Sequence, residues 1–420
     1  MGLAGRPILP ADKSIAHRVA LLAALAEGES EIVGFSNAAD PQSTLACLRQ
    51  LGVSIEERDG SLFIGGVGRE GFSPPAGALD CGNSGTTMRL LAGILAGQAF
   101  DSELIGDQSL SGRPMERVAD PLRQMGARIT LRDGHAPIAI TGSPLHGITY
   151  ALPVASAQVK TAILLAGLIA SGETTVAEPV ASRDHTERML GLTALQIGSE
   201  KRLMVNREHH IPSGLWVVPR DFSAATFFLV AAAIVSPAVL ELRGVGLNPS
   251  RSAALDVLRA MGADISVRNH RERQREPIAD LWIENKGGRL NGVTISGDIV
   301  PNLIDEIPAL AVAAACADGP TVISGAAELR VKESDRIAAT AAFLRAMGAA
   351  VDERPDGMVI EGGASLRGAL VDSRGDHRIA MAAAVAGLAA SGDTTIEGAD
   401  CVAVSFPDFW TELAGVSGQG

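Results

Sequence analysis

The stretch LLAGLIASGETTVAEP, residues 164–179, decides the fold because similar stretches occur five more times along the chain. Each copy is an Ala/Leu-rich run followed by a small turn and a β-like segment. The other copies are LLAALAEGESEIVGF from Leu21, LLAGILAGQAFDSELIG from Leu90, FLVAAAIVSPAVLELRGV from Phe228, LAVAAACADGPTVISGA from Leu310 and AAAVAGLAASGDTTIEGA from Ala382. The turns lie at Gly28, Gly97, Gly172, Pro237, Gly319 and Gly392, so successive copies are 69, 75, 65, 82 and 73 residues apart. This period predicts six repeated units.

A second signature accompanies the first. Its copies are LRQLGV from Leu48, LRQMGA from Leu122 and LRAMGA from Leu258 and Leu344, with weaker versions ending at Gly191 and Gly415. A Gly directly after an amphipathic run is a helix stop signal. The Ala-rich run is apolar on nearly all faces, which predicts a helix surrounded by protein. Each unit is therefore predicted to contain a buried helix, a strand, an amphipathic helix and further strands.

Three units in each half predict an α/β fold of two pseudo-threefold domains. Each domain is expected to hold three βαβαββ-like units, with inner buried helices surrounded by sheets in an inside-out α/β barrel arrangement. A helical solenoid is the alternative, but the strand-like segments and the absence of a short uniform period disfavour it. The clearest break lies between Val217 and Asp221.

The bulk composition excludes several classes of protein. With 420 residues the chain is expected to hold more than one domain. Its net charge of -12 disfavours nucleic-acid binding, which depends on neutralising phosphates. The four cysteines lack CxxC spacing, so neither a disulfide framework nor a metal site is expected. Neither a signal-peptide pattern nor a membrane-length apolar run is found, so we expect a cytoplasmic protein without membrane contact.

The polar residues of interest gather just before the Ala-rich runs and in the amphipathic segments. The cationic members are Lys13, Arg18, Arg89, Arg113, Arg183, Lys332, Arg336 and Arg378, and the acidic candidates are Asp305 and Glu333. Helix starts carry unpaired N–H groups and partial positive charge, so several converging starts would bind anions. A polyanionic substrate pair handled with acid/base carboxylates fits this inventory.

Taken singly, each motif also has an ordinary structural interpretation. Lys13 near a helix start opposes the helix dipole and needs a compensating anion, for which a ligand is favoured over a solvated surface. The segment from Asn83 to Thr87 could be only a helix cap, although Gly85 permits close approach of the backbone to a phosphate. Glu333 with Arg336 could be a surface i, i+3 pair. Their joint occurrence at repeated positions favours the functional interpretation.

In these motifs the chain resembles the 5-enolpyruvylshikimate-3-phosphate synthase family of enolpyruvyl transferases. The resemblance covers essentially the whole chain. It rests on KSIAHR from Lys13, GNSGTTMR from Gly82, GRP from Gly112, SAQ from Ser156, LRVKESDR from Leu329 and DHR from Asp376. It implies two three-repeat domains, 13–220 and 1–12 plus 221–420, joined by a double crossover with the active site in the cleft.

The resemblance implies transfer of the enolpyruvyl group of phosphoenolpyruvate to the 5-hydroxyl of shikimate 3-phosphate by addition–elimination. This is a step of aromatic amino acid biosynthesis through the shikimate pathway, towards chorismate. It implies a monomer that needs no metal and no cofactor, and that is inhibited by glyphosate. Asp305 would be the base at the hydroxyl, Glu333 the proton donor to carbon, and Lys13 would stabilise developing charge. Either carboxylate could serve twice, so their order is left open.

The resemblance also implies the substrate contacts. Those to shikimate 3-phosphate would be Lys13, Ser14, Arg18, Ser156, Gln158, Arg183, Asp305 and Lys332. Those to phosphoenolpyruvate would be Lys13, Asn83, Gly85, Arg113, Gln158, Arg336, His377 and Arg378. The chain departs from the family pattern at Val404, where a Lys is frequent, and at Leu90, where a Pro is frequent. It keeps Gly85, where glyphosate-tolerant members commonly have Ala.

Three other functions were weighed. The sister transferase acting on UDP-N-acetylglucosamine normally has a Cys in the loop before its Arg-Pro, and residues 106–114, GDQSLSGRP, contain none. An RNA 3'-phosphate cyclase needs a nucleotide, and the acidic charge disfavours it. A catalytically inactive anion-binding protein is disfavoured by the intact set Lys13, Asp305, Glu333 and Arg378.

Overall fold

The computed structural model describes residues 2–198 and 200–418. Met1 and Gly420, which bound the predicted domain ranges, lie outside the described residues. In this part the α-helices are α1 (Lys13–Leu25), α2 (Ala39–Gln50), α3 (Gly85–Leu95), α4 (Gln108–Ser111), α5 (Glu116–Gln124), α6 (Ala157–Gly167), α7 (His185–Leu190), α8 (Phe222–Ile234), α9 (Ala253–Ala260), α10 (Ile307–Cys316), α11 (Arg336–Ala346), α12 (His377–Ala389) and α13 (Phe409–Ser417). The 3-10 helices are η1 (Gly297–Asn302), η2 (Ala327–Val331) and η3 (Ala399–Val404). Among the described helices, none is long and apolar enough to cross a membrane.

The strands alternate with these helices along the chain. They are β1 (Leu3–Gly5), β2 (Glu27–Val33), β3 (Ser54–Arg58), β4 (Ser61–Val67), β5 (Leu79–Asp80), β6 (Ser102–Ile105), β7 (Arg128–Arg132), β8 (His135–Thr141), β9 (Thr149–Ala151), β10 (Thr174–Glu178), β11 (Leu195–Ile197), β12 (Glu200–Val205), β13 (Gly214–Val217), β14 (Ala238–Gly246), β15 (Asp264–Arg273), β16 (Glu276–Asn285), β17 (Thr294–Ile295), β18 (Thr321–Ile323), β19 (Val351–Arg354), β20 (Gly357–Ile360), β21 (Leu370–Asp372) and β22 (Thr395–Glu397). The order β-α-β-α-β-β occurs in β9-α6-β10-α7-β11-β12 and in β13-α8-β14-α9-β15-β16, and β17 to β20 follow it with the 3-10 helices η1 and η2 added.

The sheets repeat one pattern of pairing. Five have four strands, in the orders β13-β2-β4-β3, β5-β6-β8-β7, β9-β10-β12-β11, β1-β14-β16-β15 and β17-β18-β20-β19, and the sixth is β21-β22. In each four-stranded sheet the first two strands pair in parallel and the second and third antiparallel. These mixed sheets confirm the α/β class. Within the described residues the sheets are open, and none closes into a barrel.

The chain divides into two compact units. The first unit holds residues 11–198, 200–218 and 273–276, and the second holds 2–10, 219–272 and 277–418. This division differs from the expected ranges at three places. Asp12 belongs to the first unit, where it caps α1. Arg220 belongs to the second, where its amide donates to Gly244 O at 2.8 Å. The tip of the β15–β16 hairpin belongs to the first, where Gln274 Nε2 donates to Leu215 O at 3.0 Å.

Each unit has its own apolar core built around Ala-rich helices. In the second unit α8, α10 and α12 pack against one another, and nearly every residue of α8 and α10 is buried. In the first unit α3 packs against both α1 and α6. A Cβ at Gly93 would lie 2.3 Å from Ala162 O, so this glycine permits the close approach of α3 and α6. The predicted buried helices are confirmed.

The glycines after the amphipathic helices end them as predicted. Gly52, Gly126, Gly262 and Gly348 follow α2, α5, α9 and α11 and have φ of 86°, 100°, 101° and 94°. A residue with a side chain rarely adopts this left-handed backbone, which explains the glycine at each position. The predicted stop at Gly415 is wrong. Helix α13 continues to Ser417, and Gly418 supplies the left-handed cap with φ of 67°.

Candidate functional site

The Ala-rich helices begin at polar residues that cap them. The side-chain oxygens of Asp12, Ser84, Ser156, Asp221 and Asp376 accept from backbone N–H groups in the first turns of α1, α3, α6, α8 and α12. Helix α10 differs, since Glu306 at its cap position does not cap it and instead accepts a hydrogen bond from Ser223 Oγ. Some of the predicted site residues lie at these helix starts, namely Lys13, Ser14, Asn83, Gly85, Gln158, His377 and Arg378. Others lie in the segments that precede α5, α7 and α11, namely Arg113, Arg183, Lys332 and Glu333.

In the first unit Lys13 opens α1 beside a carboxylate. Its Nζ lies 3.0 Å from Asp40 Oδ2, and both side chains are largely buried. Asp40 lies in the first turn of α2. Lys13 therefore has the compensating anion that the sequence required, and a protein group supplies it in this structure.

Two arginines extend this group of residues around the start of α3. Arg89 Nη1 donates to Gln158 Oε1 at 2.6 Å, and Gln158 Nε2 donates to Thr86 Oγ1 at 2.9 Å. Arg113 Nη2 donates to Asn83 Oδ1 at 2.6 Å. A Cβ at Gly85 would lie 2.9 Å from Arg89 Nη1 and 3.3 Å from Arg113 Nη1. Four of the residues expected to contact phosphoenolpyruvate, Asn83, Gly85, Arg113 and Gln158, thus lie around the start of α3.

Arg18 connects α1 to α7, the helix that follows the segment carrying Arg183. Its Nη1 donates to Ser14 O at 2.9 Å, and its Nε donates to Thr186 Oγ1 at 2.9 Å. Its Nη2 donates to Thr161 Oγ1 of α6 at 3.2 Å. Arg183 is half-buried in the segment between β10 and α7. The buried Arg18 is thereby held in one orientation from three sides.

His17, which lies between Lys13 and Arg18 in α1, begins a chain of hydrogen bonds between uncharged side chains. His17 Nδ1 lies 2.7 Å from Thr44 Oγ1, which lies 2.7 Å from Thr87 Oγ1. Burial lowers the pKa of His17 well below its ordinary value, and the positive charges of Lys13 and Arg18 lower it further. His17 is therefore neutral at physiological pH. It adds no charge to a region that already holds two cations.

The second unit centres on Arg336, which is almost fully buried. Its Nη1 lies 3.1 Å from Asp305 Oδ1 and its Nη2 lies 2.5 Å from Glu333 Oε2. Its Nε lies 2.8 Å from Asp376 Oδ2. Burial acts to lower the pKa of Arg336, but the three carboxylates outweigh it and raise that pKa, so the guanidinium stays charged. The two candidate acid/base carboxylates therefore share one buried cation, and the surface-pair alternative for Glu333 and Arg336 is excluded.

Arg378 and Lys332 complete this cluster. Arg378 Nη1 donates to Asp305 O at 3.1 Å, and its Nη2 lies 3.8 Å from Asp305 Oδ2. His377 is buried at the first position of α12. Burial lowers the pKa of Lys332 and the charge of Arg336 lowers it further, whereas the charges of Asp305, Glu328 and Glu333 act to raise it. Asp305 therefore lies between two guanidinium groups, with Oδ1 3.1 Å from Arg336 Nη1 and Oδ2 3.8 Å from Arg378 Nη2.

Sequence reasoning missed several partners of these residues. Asp40 was not singled out, although an acid in the first turn of a helix is a common feature. Arg89 was counted among the cations but was not placed at either substrate. Asp376 was given no role of its own, and it is both the cap of α12 and the third carboxylate on Arg336. These contacts join residues far apart in the chain, and no local pattern signals them.

The two clusters offer complementary chemistry. The first unit supplies cations and amides that suit phosphate and carboxylate oxygens, with arginine forks favouring bidentate contacts. The second supplies two carboxylates for proton transfer next to further cations. Over the described residues no group of three or more His, Cys, Asp or Glu is arranged to hold a metal ion.

Comparisons with known proteins agree with this chemistry. Residues 2–413 match the family model described as EPSP synthase (3-phosphoshikimate 1-carboxyvinyltransferase). A 3-phosphoshikimate 1-carboxyvinyltransferase of Salinibacter ruber is 57% identical over 420 residues, covering 99% of this chain and 97% of that protein. One from Herpetosiphon aurantiacus is 52% identical, covering 98% and 96%. The solved EPSP synthase of Acinetobacter baumannii has a TM-score of 0.85 and 49% identity, covering 98% of this chain and 95% of that one. The resemblance found in the motifs is confirmed, and the chain belongs to the EPSP synthase family.

Proposed function

We propose that this protein transfers the enolpyruvyl group of phosphoenolpyruvate to the 5-hydroxyl of shikimate 3-phosphate and releases phosphate. The observation that supports this most is the pair Asp305 and Glu333 on the guanidinium of Arg336, in a chain of this family. The reaction needs a base at a hydroxyl and an acid at a carbon, next to cations for two anionic substrates. The two clusters contain all of these groups.

The proposed mechanism is addition followed by elimination. The oxygen of the 5-hydroxyl attacks C2 of phosphoenolpyruvate while Asp305 accepts the hydroxyl proton. Glu333 gives a proton to C3. The tetrahedral adduct then loses a proton from C3 and phosphate from C2, which regenerates the double bond. Lys13 stabilises the phosphate and the charge that develops during both steps. Asp305 and Glu333 share Arg336. When one of them gains a proton, the ion pair between Arg336 and the other carboxylate therefore becomes stronger.

Substrate binding is proposed to divide as the family motifs suggest. Shikimate 3-phosphate would be held by Lys13, Ser14, Arg18, Ser156, Gln158, Arg183, Asp305 and Lys332. Phosphoenolpyruvate would be held by Lys13, Asn83, Gly85, Arg113, Gln158, Arg336, His377 and Arg378. The hydrogen bonds of Arg113 to Asn83 and of Arg18 to Ser14 and Thr186 support this division, since they orient these arginines before any ligand binds.

The arrangement of the repeats is part of the proposal. We infer that each unit is pseudo-threefold, built from three related sheets with one inner helix each, the β21-β22 sheet keeping only the parallel pair. The recurring element order and the shared sheet pattern support it. The proposal further includes action as a monomer in the cytoplasm, the compartment that supplies phosphoenolpyruvate, and inhibition by glyphosate.

The choice of acceptor tests the proposed reaction. Phosphate release from phosphoenolpyruvate should occur with shikimate 3-phosphate, in EDTA and without added nucleotide, because side chains alone supply the acid, base and cations. It should not occur with UDP-N-acetylglucosamine. A preference for the UDP-sugar, or a loss of activity in EDTA that a divalent metal restores, would overturn the assignment.

Gly85→Ala should weaken glyphosate inhibition more than it weakens use of phosphoenolpyruvate. The added methyl would crowd the guanidinium groups of Arg89 and Arg113, which must shift. Overpacking of this kind costs ~1–3 kcal/mol, or roughly tenfold in affinity per 1.4 kcal/mol. Glyphosate is longer than phosphoenolpyruvate and has less room to adjust.

The measurement is the glyphosate inhibition constant beside the KM for phosphoenolpyruvate, in both proteins. Gly77→Ala is a matched control, because a Cβ at Gly77 meets nothing within 4 Å. Equal weakening of both ligands by Gly85→Ala, or none, would show that Gly85 does not line the donor site.

A further inference from the structure

Lys160 is a fully buried cation on an otherwise apolar helix. It lies on α6, two positions after Gln158, and its side chain has no exposure to solvent. Its Nζ lies 2.9 Å from Glu178 Oε2, 2.6 Å from Glu187 Oε1 and 3.5 Å from Ser182 O. An ammonium group has three donors, and each of them has a partner here.

One further residue, Lys201, completes a group that we call the Lys160 cluster: Lys160, Glu178, Glu187 and Lys201. Lys201 Nζ lies 3.3 Å from Glu187 Oε1 and 3.8 Å from Glu178 Oε2. Two cations therefore face two carboxylates, so the buried charges balance. Glu178 is fully buried and Glu187 is 5% exposed, so the cluster is largely removed from water.

The Lys160 cluster fixes Ser182 through all three of its polar groups. Glu178 Oε1 accepts from Ser182 N at 3.2 Å and from Ser182 Oγ at 2.6 Å. The carbonyl oxygen of Ser182 faces Lys160 Nζ. Neither the backbone nor the side chain of Ser182 can turn without breaking a bond to a buried charge.

A second attachment lies four residues further on. Thr186 Oγ1 lies 2.7 Å from Thr161 Oγ1, next to Lys160 on α6, and accepts from Arg18 Nε at 2.9 Å. The segment 182–186 is therefore held at both ends by consecutive residues of one helix. Arg183 lies inside this segment.

Stability alone does not account for the Lys160 cluster. A buried ion pair is often no more stable than well-packed apolar residues of similar volume, because desolvation offsets the attraction. Such groups can instead specify one conformation. This cluster specifies the backbone conformation at Ser182. That conformation in turn sets the direction in which the side chain of Arg183 extends from the backbone.

We propose that the Lys160 cluster, acting through Ser182, positions Arg183 for the phosphate of shikimate 3-phosphate. This inference rests on the proposed function, in which Arg183 contacts shikimate 3-phosphate, and it assigns that contact to the phosphate group. A guanidinium fork must meet a phosphate in a defined orientation, and small misplacements of such a group are costly. Lys160, Glu178 and Ser182 are thus positioning residues, without contact to the reacting atoms.

The test is a double-mutant cycle on the full-length protein. Ser182→Ala keeps all four charges of the cluster and removes only the hydroxyl bond to Glu178, so it should fold. It should raise the KM for shikimate 3-phosphate about tenfold, as a lost bond to a charged group would, with little change in the KM for phosphoenolpyruvate. In an Arg183→Ala background the same change should have no further effect on that KM. Ser182→Thr, which keeps the hydroxyl, should restore the wild-type value.

Two further variants make the result decisive. Lys160→Met should raise the same KM, and its melting temperature reports whether it folds. Ser213→Ala, at an exposed serine of the same unit, should change neither KM nor melting temperature. If Ser182→Ala lowers the melting temperature but leaves the KM for shikimate 3-phosphate unchanged, the role is structural and the inference is wrong.

The remaining outcomes separate the inference from the proposed function. Additive effects of Ser182→Ala and Arg183→Ala would mean that Ser182 does not act through Arg183, which overturns the inference alone. An unchanged KM in Arg183→Ala would overturn the role of Arg183 and the inference with it. Absence of turnover with shikimate 3-phosphate in the wild-type protein would overturn the proposed function itself.

Discussion

Replacing Asp305 by Asn is expected to lower kcat by about 10²–10⁴-fold, the range that a positioned acid or base contributes. The change is nearly isosteric, so it removes the proton acceptor without opening a cavity. The amide oxygen can still accept from Arg336, whose other carboxylates Glu333 and Asp376 keep it charged and in place. Binding of phosphoenolpyruvate and the melting temperature should therefore change little.

Steady-state kcat and a thermal melt, measured on the same preparation, check this prediction. Asp298→Asn is the matched control, because Asp298 is an exposed acid on η1, the helix that precedes Asp305. Its kcat should equal that of the wild type. Near-wild-type kcat in Asp305→Asn would exclude Asp305 as the essential base and transfer that role to Glu333.

Replacing Lys13 by Met is expected to lower kcat by about 10²–10³-fold, the loss found when one charge-stabilising donor is removed from a transition state. Methionine preserves most of the aliphatic length, so the packing of α1 is little altered. The structure adds a second consequence, because Asp40 then loses its cation at 3.0 Å. A largely buried carboxylate that loses one ion-pair partner destabilises the fold, so the melting temperature should fall as well.

The double variant Lys13→Met with Asp40→Asn separates the two effects. It removes the negative charge of Asp40 together with the positive charge of Lys13, so the melting temperature should recover while kcat stays low. Lys286→Met is the control, since Lys286 is an exposed lysine that pairs with Glu284 at the surface. Recovery of kcat together with stability in the double variant would show that Lys13 serves the fold and not the reaction.

The sequence by itself determined the fold class, the buried helices and the family. A helix that is apolar all round must be enclosed by protein, and its repetition at a period near 70 residues predicted six units. The sequence also predicted that the glycines after α2, α5, α9 and α11 end these helices. This prediction needs no tertiary contact, because a left-handed backbone favours glycine whatever surrounds it. At Gly415 the same rule failed, since glycine is tolerated inside a helix when Gly418, shortly beyond, can provide the cap.

Only the tertiary structure decided the partners of the charged side chains. The sequence showed that Lys13 requires an anion, but it could not identify Asp40, 27 positions away. It likewise could not show that Asp305, Glu333 and Asp376 meet on Arg336, or that Lys160 is buried among carboxylates. Secondary structure depends on neighbours along the chain, and a motif records residue types at fixed spacing. Charge pairing in a protein interior depends on which distant segments the fold brings within about 4 Å, and that is a property of the packed chain.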